Sequence, residues 1–209
     1  MTPLLEIEDL SVRRGERLLF AGLTETLAAG DVVHLRGPNG SGKTTLLRVV
    51  AGLTLPEAGA VRWRGADIDR DRQRYGQAMA WCGHKDGLKG DLTVRENLRF
   101  EQQLRGVRDP DAIERAARTL GLDGLMEQPC GLLSAGQRRR AALARLELAA
   151  ATLWLLDEPF TNLDVDGAAG VAAMIGAHAR AGGAAIVTAH GELPGAAGAA
   201  RQLDLGAPA

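Results

Sequence analysis

Apolar and polar positions change rhythm several times along the chain, and each change marks an element. "LLEIEDLSV" (residues 4–12) alternates apolar with acidic positions, the period of a half-buried strand. "RLLFAGLTETLAAG" predicts a second strand pair ending at Gly30. "DVVHLRG" is a short apolar run that stops at Gly37. After "PNGSG" comes "KTTLLRVVAGL", where Leu46, Leu47, Val50 and Leu53 fall on one helical face. "GAVRWRG" and "AMAWC" read as two further short strands.

The middle of the chain changes to a helical period. Thr93, with Glu96 three residues on, makes a capping box ahead of "VRENLRFEQQL". "RDPDAIERAARTLGL" predicts another helix, with Asp109 as its cap, Pro110 at the first helical position and Gly121 at the stop. Strand signals are few here, so Leu88 to about Leu132 reads as a helical sub-domain inserted into an α/β body. Strands and helices then alternate again. "ATLWLLD" is a buried strand, "VDGAAGVAAMIGAHARAGG" an Ala- and Gly-rich helix, and "AAIVTAH" and "RQLDLG" close the sheet. Repeated βαβ alternation implies a parallel sheet with helices on both faces, within a single domain over residues 1–209. The final "GAPA" reads as a frayed tail.

Composition narrows the class without naming a chemistry. The 209 residues can bury a real core, and 45% hydrophobic residues with a net charge of −1 argue against a basic nucleic-acid binder. Cys82 and Cys130 have no metal spacing and read as reduced, partly buried thiols. No apolar run is long enough for a bilayer, and the acidic start "MTPLLEIEDL" is unlike a signal peptide. The expectation is a cytosolic protein, held at a membrane only by another chain.

Chemistry enters with "GPNGSGKT", which matches G-x-x-x-x-G-K-[ST] in full between a strand and a helix. Gly37, Gly40 and Gly42 let backbone N–H groups turn onto phosphate oxygens, and Pro38, Asn39, Ser41 and Thr45 complete the candidate ATP loop. Lys43 is expected to reach the β- and γ-phosphates, and Thr44 to ligate Mg²⁺. "LWLLDEP" delivers Asp157 to the same sheet edge as a second Mg²⁺ ligand, with Glu158 beside it as the candidate general base.

"GLLSAGQRRRAALARL" adds a helix start far along the chain, in which Ser134 and Gln137 form a capping box. Its free N–H groups, hydroxyl and dipole suit an anion. The arginines Arg138, Arg139 and Arg140 read as a solvated helix side with contacts to acids of the same domain. Together with the phosphate loop and "LLDEP", "LLSAGQ" resembles the signature of ABC-type ATPases, with Ala135 in place of the usual first glycine before Gly136. The resemblance covers nearly the whole chain. It implies an α/β P-loop NTPase fold of ABC ATPase type, with an antiparallel β sub-domain and the inserted helical sub-domain. It places Asp164 of "TNLD" in the D-loop and makes His190 of "VTAH" the switch histidine. It also implies a head-to-tail two-fold dimer, in which the signature residues Ser134, Ala135, Gly136 and Gln137 serve ATP held by the second copy. Integral membrane permease subunits would complete the complex, with ATP and Mg²⁺ as cofactors and no nucleic acid.

Two departures stand out. "AWCGHKDGL" puts His84 where the family has a glutamine near Mg²⁺ and the attacking water. Since Mg²⁺ prefers oxygen, a water-mediated contact fits His84 better than direct ligation, and a loop histidine facing the helical sub-domain is the plain alternative. "SVRRGE" has Arg13 and Arg14 where the family often has an aromatic that stacks on adenine, which points to a weaker or arginine-based adenine contact, with Arg14 the candidate. The Gly-His and the alanine-containing signature are similar to ATP-binding subunits of haem exporters in bacterial cytochrome c maturation. That likeness implies a peripheral location on the cytoplasmic face of the inner membrane. An ABC transporter subunit of other cargo and a non-transport ABC ATPase remain the alternatives.

Overall fold

Two sheets face each other across an apolar layer in this computed structural model, which describes residues 3–106, 109, 111–197 and 200–206. One sheet is antiparallel, in order β2-β1-β4-β5: β1 (Leu5–Arg14), β2 (Arg17–Leu27), β4 (Ala58–Trp63) and β5 (Ala66–Asp67). The other is parallel throughout, in order β6-β7-β8-β3-β9: β3 (Val32–Arg36), β6 (Met79–Cys82), β7 (Leu153–Leu156), β8 (Ala184–Thr188) and β9 (Arg201–Asp204).

Side-chain alternation along the parallel strands sorts the core into two layers. Leu153 and Leu155 of β7 join Leu5, Ile7, Leu46 and Leu47 between the sheets. Their neighbours Trp154 and Leu156 point the other way, among Leu143, Leu146, Val171 and Ile175. A strand apolar on both faces suits a parallel sheet covered on both sides. Each fully buried leucine contributes about 1.5–3 kcal/mol.

Six α-helices complete the described residues: α1 (Lys43–Val50), α2 (Arg72–Ala78), α3 (Val94–Leu104), α4 (Ala112–Thr119), α5 (Ala135–Leu148) and α6 (Val165–Arg180). The capping box Thr93/Glu96 starts α3, and Ser134/Gln137 starts α5, as their spacing predicts. α3 and α4 pack on α5.

Three local expectations are corrected. "RLLFAGLTETL" is one strand, not a pair: Gly22, at φ 67°, is absorbed as an irregularity in the β1–β2 register instead of a turn. Leu53 lies beyond the end of α1 and is 56% exposed, so the buried face stops at Val50. Asp109 does not cap α4, whose N-cap position is Asp111. The Asp109 carboxylate instead accepts from the Asp111 N–H at 3.0 Å, one turn ahead of the helix. The placing of Pro110 and of the tail after Gly206 lies outside the described residues. Helix α2 is an addition, anchored by Tyr75, its one buried side chain.

Candidate functional site

Strand order decides what meets at the carboxyl edge of the parallel sheet. The loop after β3 is "GPNGSGK", Asp157 directly follows β7, and His190 lies two residues past β8, with β8 running between the other two. Clefts in open parallel sheets form at this edge. One of about 400 Å³ is lined by Arg14, Asn39, Gly40, Lys43, Thr44, Thr45, Glu158 and His190, among others. A neighbouring lobe of about 520 Å³ adds Gly37, Pro38 and Asp204.

The phosphate loop is held tightly from below. Gly42, at φ 100°, is the N-cap of α1 and leaves the helix N-terminus open to an anion. A Cβ on Gly37, at φ 144°, would collide with the carbonyl oxygen of Leu205, just past β9. The Lys43 ammonium donates to the carbonyls of Gly37 at 2.7 Å and Pro38 at 3.1 Å. Ser41 behaves differently from its neighbours: its hydroxyl is fully buried under the loop, without a partner among the described residues, and does not line the cleft.

Behind the loop runs a chain of oxygens. The Thr44 hydroxyl donates to Asp157 Oδ2 at 2.9 Å, and the Thr188 hydroxyl donates to Asp157 Oδ1 at 2.9 Å. Thr188 Oγ1 in turn accepts from the Glu158 N–H at 2.8 Å. Asp157 is buried, so these bonds compensate a carboxylate that has lost most of its water. Glu158 has φ 52°, the left-handed region, which costs a side-chain-bearing residue about 1–3 kcal/mol. Its carboxylate turns into the cleft, with Oε1 3.0 Å from His190 Nε2.

The helix start after Leu133 lies elsewhere. Ser134 and Ala135 are exposed, and neither they nor Gln137 line the cleft. Gly136 packs on the loop that leaves Glu158: a Cβ there would sit 2.5 Å from the Asn162 carbonyl oxygen. Two residues on, Asp164 caps α6, accepting from the Gly167 N–H at 2.8 Å. Arg14, at the end of β1, reaches the rim of the cleft. His84 follows β6, is exposed, and is not among the cleft-lining residues.

Arg139 is the residue that sequence reasoning missed. It is buried, not solvated, and its partners are mostly carbonyl oxygens. Only its place within "QRRRA" was visible, and adjacent arginines look like a wet surface. Cys82 and Cys130 are buried free thiols, and burial pushes both above the usual thiol range.

A second cleft of about 330 Å³ opens between the loop after β6 and helices α3 and α5. Glu101, buried there, pairs with Arg105 at 3.1 Å and Arg145 at 2.9 Å. Its lining includes no residue of the phosphate loop and no histidine.

Residues 20–161 match the ABC transporter family. The cytochrome c biogenesis ATP-binding export protein CcmA of Nitrosococcus oceani is 48% identical over 180 residues, 86% of this chain and 82% of that one. The protein of the same name from Methylococcus capsulatus is 49% identical, over 82% of this chain and 83% of its own length. A solved ABC transporter ATP-binding protein from Pyrococcus furiosus superposes with a TM-score of 0.84 at 28% identity, covering 96% of each chain. The chain belongs to the ABC transporter family, as an ATP-binding protein of the CcmA type.

Proposed function

We propose that this protein hydrolyses ATP as the motor subunit of an exporter serving c-type cytochrome biogenesis, with haem delivery as the process it drives. The observation that carries the ATPase part is the convergence of Lys43, Thr44, Asp157, Glu158 and His190 on one sheet edge. The export part rests on the likeness to the CcmA proteins, because ATP chemistry is common to every cargo.

Each residue has a task that its geometry suits. The loop N–H groups and the α1 N-terminus bind phosphate oxygens, and Lys43 leaves its two loop carbonyls for the phosphates. Glu158 accepts a proton from the attacking water, while His190 holds the carboxylate's direction. Thr44 and Asp157 offer hard oxygens 2.9 Å apart, a donor set that fits Mg²⁺. When bound, that ion neutralises charge on the phosphates. Arg14, at the rim of the cleft, is assigned the adenine contact, which a guanidinium can make by stacking. His84 is assigned a water-mediated contact with the same reaction centre.

Ser134 to Gln137 sit outside the cleft in their own chain, which favours their use by a second copy paired head to tail. Among the described residues no helix is long and apolar enough to cross a membrane. Attachment to the cytoplasmic face of the inner membrane would then come from permease subunits. Phe100 and Leu104, exposed on α3 near the second cleft, offer such subunits an apolar edge.

The deciding experiment replaces the wild-type chain with Glu158→Gln in the host. Loss of haem-stained c-type cytochromes supports the whole reading. Normal maturation alongside lost ATPase activity would leave an ATPase of other cargo.

A further inference from the structure

Arg139 lies in the second turn of α5 and is 4% exposed. Its guanidinium reaches away from its own helix. Nη1 donates to the Gly83 carbonyl at 2.8 Å and to Asp86 Oδ1 at 3.3 Å. Nη2 donates to the carbonyls of Asp157 at 2.7 Å and Glu158 at 2.9 Å. One planar fork therefore ties three segments together: the helix that begins at Ser134, the end of β7, and the loop after β6 that carries His84. A lysine ammonium has donors but not this span.

What the fork grips is the strained residue. The Glu158 peptide groups are fixed on both sides, its N–H by Thr188 and its carbonyl by Arg139. A left-handed, side-chain-bearing residue persists where its surroundings impose the conformation. That conformation turns the carboxylate toward His190. Displacing the loop at Gly83 or Asp86 would pull on the same guanidinium, and hence on the Glu158 carbonyl.

We infer that Arg139 is a positioning residue for Glu158, and that through Gly83 and Asp86 it makes the direction of that carboxylate depend on the loop after β6. The inference rests on the reading of Glu158 as general base. Arg139 itself touches neither nucleotide nor water in this scheme.

The test compares Arg139→Gln and Arg139→Lys with wild type in steady-state ATPase assays, nucleotide binding and thermal melting. Both variants are expected to lose about 10–10²-fold in kcat, the effect of a small misplacement of a reacting group. Nucleotide affinity should stay within about threefold, since the phosphate loop is untouched. Repeating Arg139→Gln in a Glu158→Gln background should change single-turnover hydrolysis by less than about threefold, because the group being aimed is gone. An equal loss in both backgrounds, or a loss of affinity matching that of kcat, would assign Arg139 a structural role and overturn the inference. If Arg139→Gln does not fold, Arg139→Lys decides: wild-type kcat sinks the idea. Asp86→Ala loosens only the loop end of the fork and should share the kcat loss in smaller measure; an unchanged kcat overturns the link to the loop. Wild-type turnover by Glu158→Gln alone would instead remove the general-base reading.

Discussion

Glu158 and His190 face each other at 3.0 Å, from Oε1 to Nε2, across the ends of two parallel strands. The ring can donate its Nε2 proton to the carboxylate while Thr161 lies 3.4 Å from the other oxygen. The carboxylate is three-quarters buried and the imidazole is mostly exposed. The pair thus combines a fixed base with a partner open to the surface.

Glu158→Gln should nearly abolish steady-state ATP turnover and leave ATP binding intact. Loss of a general base costs about 10²–10⁴ in rate. Lys43→Ala should instead weaken binding itself, because the bound phosphates need that charge in ground and transition states alike. Turnover by Glu158→Gln within about threefold of wild type would remove the base assignment.

Ser134→Arg should block turnover while a single chain still binds ATP, since Ser134 does not line its own cleft. Mixing Ser134→Arg chains with Lys43→Ala chains gives a dimer with one doubly damaged site and one intact site. Recovered activity on mixing is the expected result. Lost nucleotide binding by the Ser134→Arg monomer would contradict a shared site.

Gly136→Ala should destabilise the fold by about 1–3 kcal/mol, the range for forcing a methyl group into a packed contact. The obstacle is the Asn162 carbonyl at 2.5 Å, a backbone atom that cannot rotate away. Ala135→Gly should cost far less, because that position is exposed. Equal melting temperatures for Gly136→Ala and wild type would refute the contact.

Stability should fall on mild acidification. The His178 ring stacks on Trp154 at 3.8 Å and 6°, and its Nε2 faces the carbonyls of Thr152 and Ala184. Burial pulls its pKa below the usual 6.5, against the opposing pull of those carbonyls. His34 on β3 is lowered as well, by burial first and by Arg36 second. The unfolded chain then takes up protons more readily than the folded one. This stability is fully present above about pH 6.5 and is lost as pH falls through that value toward the folded pKa. Melting curves from pH 7.5 to about 5.5 should show the decline, and His178→Leu should flatten part of it. An identical slope in the variant would clear His178.

His84→Gln should change steady-state ATP turnover if His84 contacts the reaction centre through water, since the two side chains present different hydrogen-bonding atoms. Unchanged turnover would leave His84 with the helical sub-domain or a membrane subunit.

The parts of the site that were legible in the sequence are contiguous. "GPNGSGKT", "LLDEP" and "LLSAGQ" each hold their pattern within a few residues, and the strands around them keep a clear period. Features made by distance were hidden. Arg139 finds its partners at Gly83, Asp86, Asp157 and Glu158, so no local pattern announces them. Helix α2 escaped because one buried residue, Tyr75, gives no periodicity. "RLLFAGLTETLAAG" read as a strand pair, yet the pairing of β1 with β2 continues on both sides of Gly22. In "LLRVVAGL" the period continues to Leu53 in the sequence, whereas the helix ends at Val50.

The strand that leads into the phosphate loop lies between β8 and β9, both encoded well over a hundred residues after it. Leu205 then closes against Gly37 and donates its N–H to the Arg36 carbonyl at 2.9 Å. A ribosome making this chain therefore releases the loop long before it releases the loop's supports. Contacts so distant in sequence form slowly. The loop gains the last of these supports only once Leu205 has emerged.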